Sequence, residues 1–334
     1  MTRWLKLLKI IGSPFVESTE SIRTSFSHDL YRIALTNKIP LSYLSHVQGK
    51  KARSLYRYHA RRLEVLMNVL CDVCKTLEEH SLSYIVFKTL RPFREEVADI
   101  DALIPDGDDF EDAISILSSR GYVIMERGLY CTTLMDPRYR FTTEIMIDIY
   151  KEVSAGPLIY LDKNLLLGCI EYLNVNGYGV RVFKPEAELL TLMAHSLLKE
   201  GKITLADYLS TLHYLCQMDN HAIDRFIGLA KRMRTTYGVR YFLTLVAYLH
   251  KVAHGFIPDK VIEVLRPLGG PISVSGSLLY RELPYCYDDR VLVKVYLEKL
   301  GDPLFRRSLA MTFRWASSRK SIARLVNRFV MMER

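Results

Sequence analysis

The chain has 334 residues, 49% of them hydrophobic, which is enough apolar material to bury real cores in two or three domains. No run of about 18 uncharged apolar residues occurs, so a membrane-spanning helix is excluded. The formal charge of +9, from 46 basic against 37 acidic residues, favours polyanionic partners without selecting one of them.

Residues 4–11 carry apolar and basic side chains at helical spacing and lack the small-residue cleavage site of a signal peptide. They predict an amphipathic helix that packs on its own domain, touches a membrane surface or meets a partner. Helical patterning continues to residue 80, broken by Pro14, Pro40 and an irregular stretch over 12–20. A long helix is expected over 52–80. Near its start lie Lys50, Lys51, Arg53, Arg61 and Arg62 with Tyr56 and Tyr58 among them. Such a cluster meets phosphate backbones by counterion release and stacking, and equally suits a solvated helix face over aromatic core residues. Cys71 and Cys74 form a lone C-x-x-C with no second pair, so buried helical cysteines are expected in place of a zinc site.

Residues 83–87 are β-branched and aromatic and predict a strand, 88–94 a turn, and 97–104 a second strand. Strand alternation sends Asp99 and Asp101 to one face while Ile100 and Ala102 turn into the core. Two carboxylates so placed repel unless a cation or a proton sits between them, and oxygen-only ligation at a strand suits Mg²⁺ or Mn²⁺. A helix is expected over 109–120, capped by Asp108, with Ile114 and Leu117 on its apolar stripe and Gly121 as its stop. Strands follow over 122–125, 129–134 and 142–150. The last puts Glu144, Met146, Asp148 and Tyr150 on one face and Ile145, Ile147 and Ile149 on the other. Asp148 is thereby the third carboxylate, and Glu144 a reserve ligand or a solvated strand residue.

After a linker at 153–157, helical spacing runs from residue 185 to the end, interrupted at Gly201, Gly255, 267–271 and Pro303. His195 lies on a helix whose apolar face holds Leu189, Leu192 and Met193. It reads either as a hydrogen-bonded structural residue or as a catalytic or substrate-binding group with Asp207 as its partner. Lys199 and Lys202 read either as phosphate contacts or as exposed lysines without a function. The tail over 306–334 holds Arg306, Arg307, Arg314, Arg319, Lys320, Arg324 and Arg328 with no acid before Glu333. Only two glutamines, Gln48 and Gln217, stand against 25% charged residues, a balance that points to a thermophile. The expected fold class is α+β: a small mixed β-sheet core over 81–155, an N-terminal helical region over 1–80 and a C-terminal helical domain over 156–334.

Phe87-Lys88-Thr89-Leu90, Arg94, Asp99-Ile100-Asp101 and Ile147-Asp148-Ile149 resemble the nucleotidyltransferase superfamily, the fold of polymerase beta and of the CCA-adding enzymes. Within it they are most similar to the uncharacterised branch whose motif begins with Lys-Gly. The resemblance extends through Lys184-Pro185-Glu186-Ala187-Glu188-Leu189-Leu190 and His195 to Leu205-Ala206-Asp207-Tyr208, so it covers about residues 83–215. It implies a cytoplasmic enzyme that moves a nucleoside monophosphate from a nucleoside triphosphate such as ATP to a hydroxyl acceptor and releases pyrophosphate. Asp99, Asp101 and Asp148 are its implied catalytic residues and ligands of Mg²⁺ or Mn²⁺.

One departure stands out. The superfamily's glycine-serine turn brings backbone N–H groups up to the triphosphate, whereas Lys88-Thr89-Leu90 contains no glycine, and side chains crowd that approach. Thr89 keeps a hydroxyl, and Lys88, Arg91 and Arg94 offer side-chain charge to phosphates instead. The basic flanks, with Arg314, Arg319, Lys320 and Arg324 as contact candidates, favour RNA, a tRNA end among them, as the acceptor. The alternative is a catalytically inactive module that keeps the fold and binds RNA or a protein partner. Retention of three aspartates argues against it, because clustered carboxylates without a cation repel. Neutralising Asp99 or Asp101 is accordingly expected to leave the fold intact or slightly more stable.

Overall fold

The computed structural model describes residues 2–16, 24–139, 144–274 and 283–316, with backbone alone from 313 onward. Four helices come first: α1 (Arg3–Ile11), α2 (His28–Thr36), α3 (Pro40–Ser45) and the long α4 (Lys50–Glu79). Ser27 starts α2 by accepting a hydrogen bond from the Leu30 amide, and Pro40 starts α3, where a missing N–H costs nothing.

A seven-stranded sheet follows, made of β1 (Ile85–Val86), β2 (Asp99–Leu103), β3 (Val123–Arg127), β4 (Cys131–Met135), β5 (Met146–Tyr150), β6 (Ile170–Val175) and β7 (Tyr178–Phe183). Its spatial order is β6-β7-β1-β2-β5-β4-β3. Pairing is mixed: β7 with β1 and β2 with β5 run parallel, the other neighbours antiparallel. Helix α5 (Asp109–Ser119) crosses between β2 and β3. Asp108 does not cap it through its side chain. The Asp108 amide instead donates to the Asp106 carboxylate, so the acidic turn is closed one step earlier than expected.

The hairpin of β6 and β7 lies in a stretch where no strands were expected. Its Asn176-Gly177 turn has φ of 51° and 84°, the left-handed pair that a two-residue hairpin requires. The remaining main elements are helical: α6 (Pro185–His195), α7 (Leu205–Gln217), α8 (Asn220–Arg232), α9 (Thr236–His254), α10 (Asp259–Leu265), α11 (Asp289–Lys299) and α12 (Pro303–Ala316). The molecule is thus α+β, with helices before and behind a mixed sheet, and no described helix is long and apolar enough to cross a membrane.

Strand alternation divides the sheet between two cores. One face sends Val86, Ile100, Ala102, Ile147, Ile149, Val180 and Val182 against Leu66, Val69, Val73 and Leu77 of α4 and Phe110, Ile114 and Leu117 of α5. The other sends Ile85, Phe87, Leu103, Tyr150 and Phe183 into a core shared by α1, α2, α3 and α6 to α10. Helices from before and from behind the sheet therefore meet over one of its faces. Fully buried Asn37 ties them there: its side chain accepts from the Leu205 amide at 3.1 Å and donates to the Leu283 carbonyl at 2.9 Å, and its own carbonyl accepts from Ala206 at 3.1 Å. Cys71 and Cys74 are buried in α4 and unbridged.

Candidate active-site cleft

Alternation along β2 puts Asp99, Asp101 and Leu103 on the face opposite α4 and α5, and the parallel register sets Asp101 opposite Asp148 of β5. The expected carboxylate group is therefore assembled by two neighbouring strands. Above it lies a cleft of 270 Å³. Lys38 and Pro40 enter it from the junction of α2 and α3, Arg62 from α4, Lys88 and Arg91 from the turn after β1, His195 from α6, and Ser210 and Tyr214 from α7. Residues 196–200 continue α6 as a single π turn, ended by Gly201 in the left-handed region, and this turn delivers Lys199 and Glu200 to the cleft. Single π turns of this kind recur at functional sites.

Each carboxylate has its own surroundings. Asp101 is nearly buried; one of its oxygens accepts from the Lys88 ammonium at 3.0 Å. Asp148 accepts from the Thr133 hydroxyl at 2.5 Å and from the Tyr150 hydroxyl at 3.3 Å. Burial, reinforced by Asp101, raises the Asp148 pKa. Asp99 accepts from no side chain among the described residues and reaches solvent at the mouth of the cleft. The cleft walls nonetheless draw water away from its carboxyl, and with Asp101 and Asp148 nearby this pushes it up to about 6.

Lys88 has φ of 60°, the left-handed conformation a glycine adopts without strain. The buried Glu188 carboxyl of α6 holds it there by accepting the Lys88 amide. Burial raises Glu188 to about 8. The Lys88 side chain crosses the Phe87 and Tyr150 rings, its nitrogen 4.5 and 4.7 Å from their centroids. Burial disfavours its charge, but Asp101, together with Tyr160 and Asp148, outweighs burial and holds the Lys88 pKa above the ordinary lysine value.

The four residues expected to meet phosphate part company. Lys88 and Arg91 line the cleft. Thr89 does not: it is 1% exposed, and its hydroxyl accepts from the Asp101 amide at 2.8 Å, which fastens the turn to β2. Arg94 is exposed on the other side of the turn, 5.9 Å over the Tyr56 ring. Glu144 is exposed outside the strand. The side chain of Arg314 and all of Arg319, Lys320 and Arg324 lie outside the described residues.

His195 faces the cleft, but its partner is Glu200 at 3.5 Å and not Asp207. Asp207 is spent on helix α7, where it accepts from the Thr204 amide at 2.9 Å while Thr204 caps the Asp207 amide, a reciprocal capping box. Burial, with Lys88 adding to it, lowers His195 to about 3, so it stays neutral near neutral pH.

Three cations in the cleft, Lys38, Arg91 and Lys199, have no carboxylate partner at ion-pair distance among the described residues. The Arg91 Nε is buried with no hydrogen-bond partner, its Nη1 reaching only the Ser210 hydroxyl at 3.3 Å. Lys199 donates to the Tyr150 hydroxyl at 3.3 Å. Sequence reasoning missed Lys38, Arg62 and Glu188 as parts of the cleft, since tertiary packing alone brings α2, α4 and α6 beside the aspartate strand.

Hard oxygen donors at Asp99 and Asp101 fit a divalent cation such as Mg²⁺. Asp101 offers the oxygen that Lys88 leaves free. No group of three His, Cys, Asp or Glu side chains arranged around a common metal position occurs among the described residues.

Residues 19–251 match the pattern of a family described as uncharacterised nucleotidyltransferase. Among solved structures, an antigenic nucleotidyltransferase-like protein from Paracoccidioides brasiliensis is 13% identical, over 50% of this chain and 88% of that one, with a TM-score of 0.32. JHP933 from Helicobacter pylori is 11% identical over 77% of this chain and 97% of its own, with a TM-score of 0.31. No curated protein matches the chain.

Proposed function

Because this chain belongs to the family of uncharacterised nucleotidyltransferases, we propose that its cleft transfers a nucleoside monophosphate from a nucleoside triphosphate to a hydroxyl of RNA, releasing pyrophosphate. One observation carries the reading: a carboxylate pair suited to a divalent ion and three cations without carboxylate partners line the same cleft, the two charge demands of a metal–triphosphate complex. Lys38, Arg91 and Lys199 bind the phosphates. Asp99 and Asp101 hold Mg²⁺ or Mn²⁺, which when bound neutralises phosphate charge and polarises the transferred phosphoryl group.

In the reaction the acceptor oxygen forms a bond to the α-phosphorus as the bond from that phosphorus to the β-phosphate oxygen breaks, and pyrophosphate leaves with that electron pair. The acceptor's proton passes to a neighbouring carboxylate, for which Asp148, set opposite Asp101 by the strand register and raised above the ordinary aspartate value, is the candidate. Thr89 positions the turn and does not touch the nucleotide. The exposed stripe Lys50, Arg53, Arg57 and Arg61 on α4, with Arg62 one step on in the cleft wall, supports a phosphate-rich acceptor.

Incubation with α-labelled nucleoside triphosphates and total RNA, with and without Mn²⁺, tests the proposal. Label should enter RNA only with the metal, and Asp99→Asn should abolish it. Metal-dependent retention of RNA or a protein without label transfer would favour an inactive binding module instead.

A further inference from the structure

We propose that Lys88 is a built-in counter-cation of Asp101 that takes the place of one metal ion, so that the site binds a single divalent cation, held by Asp99 with the Asp101 oxygen that Lys88 leaves free. The proposal uses the functional reading only for what the charge would do during transfer; the metal count stands on its own observations.

The three carboxylates are not equivalent. Asp148 has both oxygens engaged, by the Thr133 and Tyr150 hydroxyls. Asp101 has one oxygen on the Lys88 ammonium and its backbone fastened to the Thr89 hydroxyl. Only Asp99 has no side-chain donor among the described residues. A second divalent ion beside Asp101 would have to displace Lys88, and several independent features resist that.

The Lys88 side chain is 9% exposed and lies between two aromatic faces, a cage that favours a cation and offers a departing ammonium no water along its stem. Its backbone sits in the left-handed region, a conformation that costs a lysine free energy and is held by the Glu188 carboxyl on the Lys88 amide. An exposed lysine collapsed onto an aspartate would need neither the cage nor the fixed backbone. Lys199 closes the far side, bonded to the same Tyr150 hydroxyl that reaches Asp148. The protein therefore supplies at Asp101 a positive charge that cannot exchange with solvent ions, and leaves Asp99 open for one that can.

Counting bound Mn²⁺ on the full chain tests this, with thermal unfolding followed in parallel. Wild type should bind one ion, lost in Asp99→Asn. Lys88→Met should gain a second ion or bind at least tenfold more tightly, while Lys88→Arg, which keeps the charge, should behave as wild type. Equal counts and affinities in wild type and Lys88→Met, whether two ions or none, would overturn the proposal. Should Lys88→Met fail to fold, wild type suffices: an amine-acylating reagent read by mass spectrometry should leave Lys88 unmodified with and without saturating Mn²⁺. Lys88 acylation that appears on adding Mn²⁺ would show displacement and refute the fixed cation. None of these readouts uses transfer, so a failed transfer assay and a failed metal count are separate results.

Discussion

At Glu188 a single carboxyl sets the shape of the turn after β1. With its pKa raised from the usual 4.5 to about 8 by burial, the folded protein holds a proton that the unfolded chain has released across that interval. Stability from this group is therefore fully present below pH 4.5 and falls as pH rises toward 8. Glu188→Gln should remove that share, so the stability difference between variant and wild type should shift in the variant's favour from pH 5 to pH 8, measured by chemical denaturation. A pH-independent difference would mean that the carboxyl stays ionised. Asp99 and Asp101 should also separate. Repulsion alone predicts that neutralising either is harmless to the fold, but Asp101 neutralises a buried lysine. Asp101→Asn should cost on the order of 3 kcal/mol by stranding Lys88, whereas Asp99→Asn should be neutral or slightly stabilising. Equal melting temperatures for the two variants would contradict the ion pair's role.

At the scale of elements, Glu95 shows how the turn is locked to the N-terminal helices. Its buried carboxylate accepts from the Leu41 and Ser42 amides at 3.0 and 2.9 Å and from the Ser42 hydroxyl at 3.0 Å, at the start of α3. Glu95→Ala would orphan those donors at a helix N-terminus and should lower stability by about 2 kcal/mol, read by urea denaturation, with loss of nucleotide affinity because Pro40 and Lys38 shift with α3. The basic stripe of α4 makes another test. Replacing Arg53, Arg57 and Arg61 with glutamine should weaken RNA binding and flatten its log–log salt slope by about two; an unchanged slope returns the stripe to a solvated face. Strand β2, helix α5 and the body of α4 were legible in the sequence because alternation and apolar stripes are local signals. The β6–β7 hairpin carries one too, Asn176-Gly177 between alternating residues, but the helical spacing of the flanking chain masks it. Asp207 misled for a related reason: its spacing from His195 suggested a pair, while a local capping box had already claimed it.

Across the whole molecule, the carboxylates were readable and the cations facing them only partly so. Asp99, Asp101 and Asp148 are placed by two strands and one register, so alternation found them. Lys38 lines the cleft next to Asn37, which ties the end of α2 to the start of α7 by a tertiary bond between segments 168 residues apart that leaves no mark on local pattern. For the same reason Thr89 and Arg94 were expected at the phosphates, since a loop's residue types do not reveal which side of the turn each faces. If the carboxylate cleft is a triphosphate site held by side-chain charge, calorimetric titration of a non-hydrolysable nucleoside triphosphate with Mg²⁺ into wild type, Arg91→Ala, Lys199→Ala and Arg94→Ala will show it. Wild type should bind, Arg91→Ala and Lys199→Ala should each bind about ten- to a hundredfold more weakly, and Arg94→Ala should match wild type. No binding by wild type, or equal affinity in all four proteins, would contradict it.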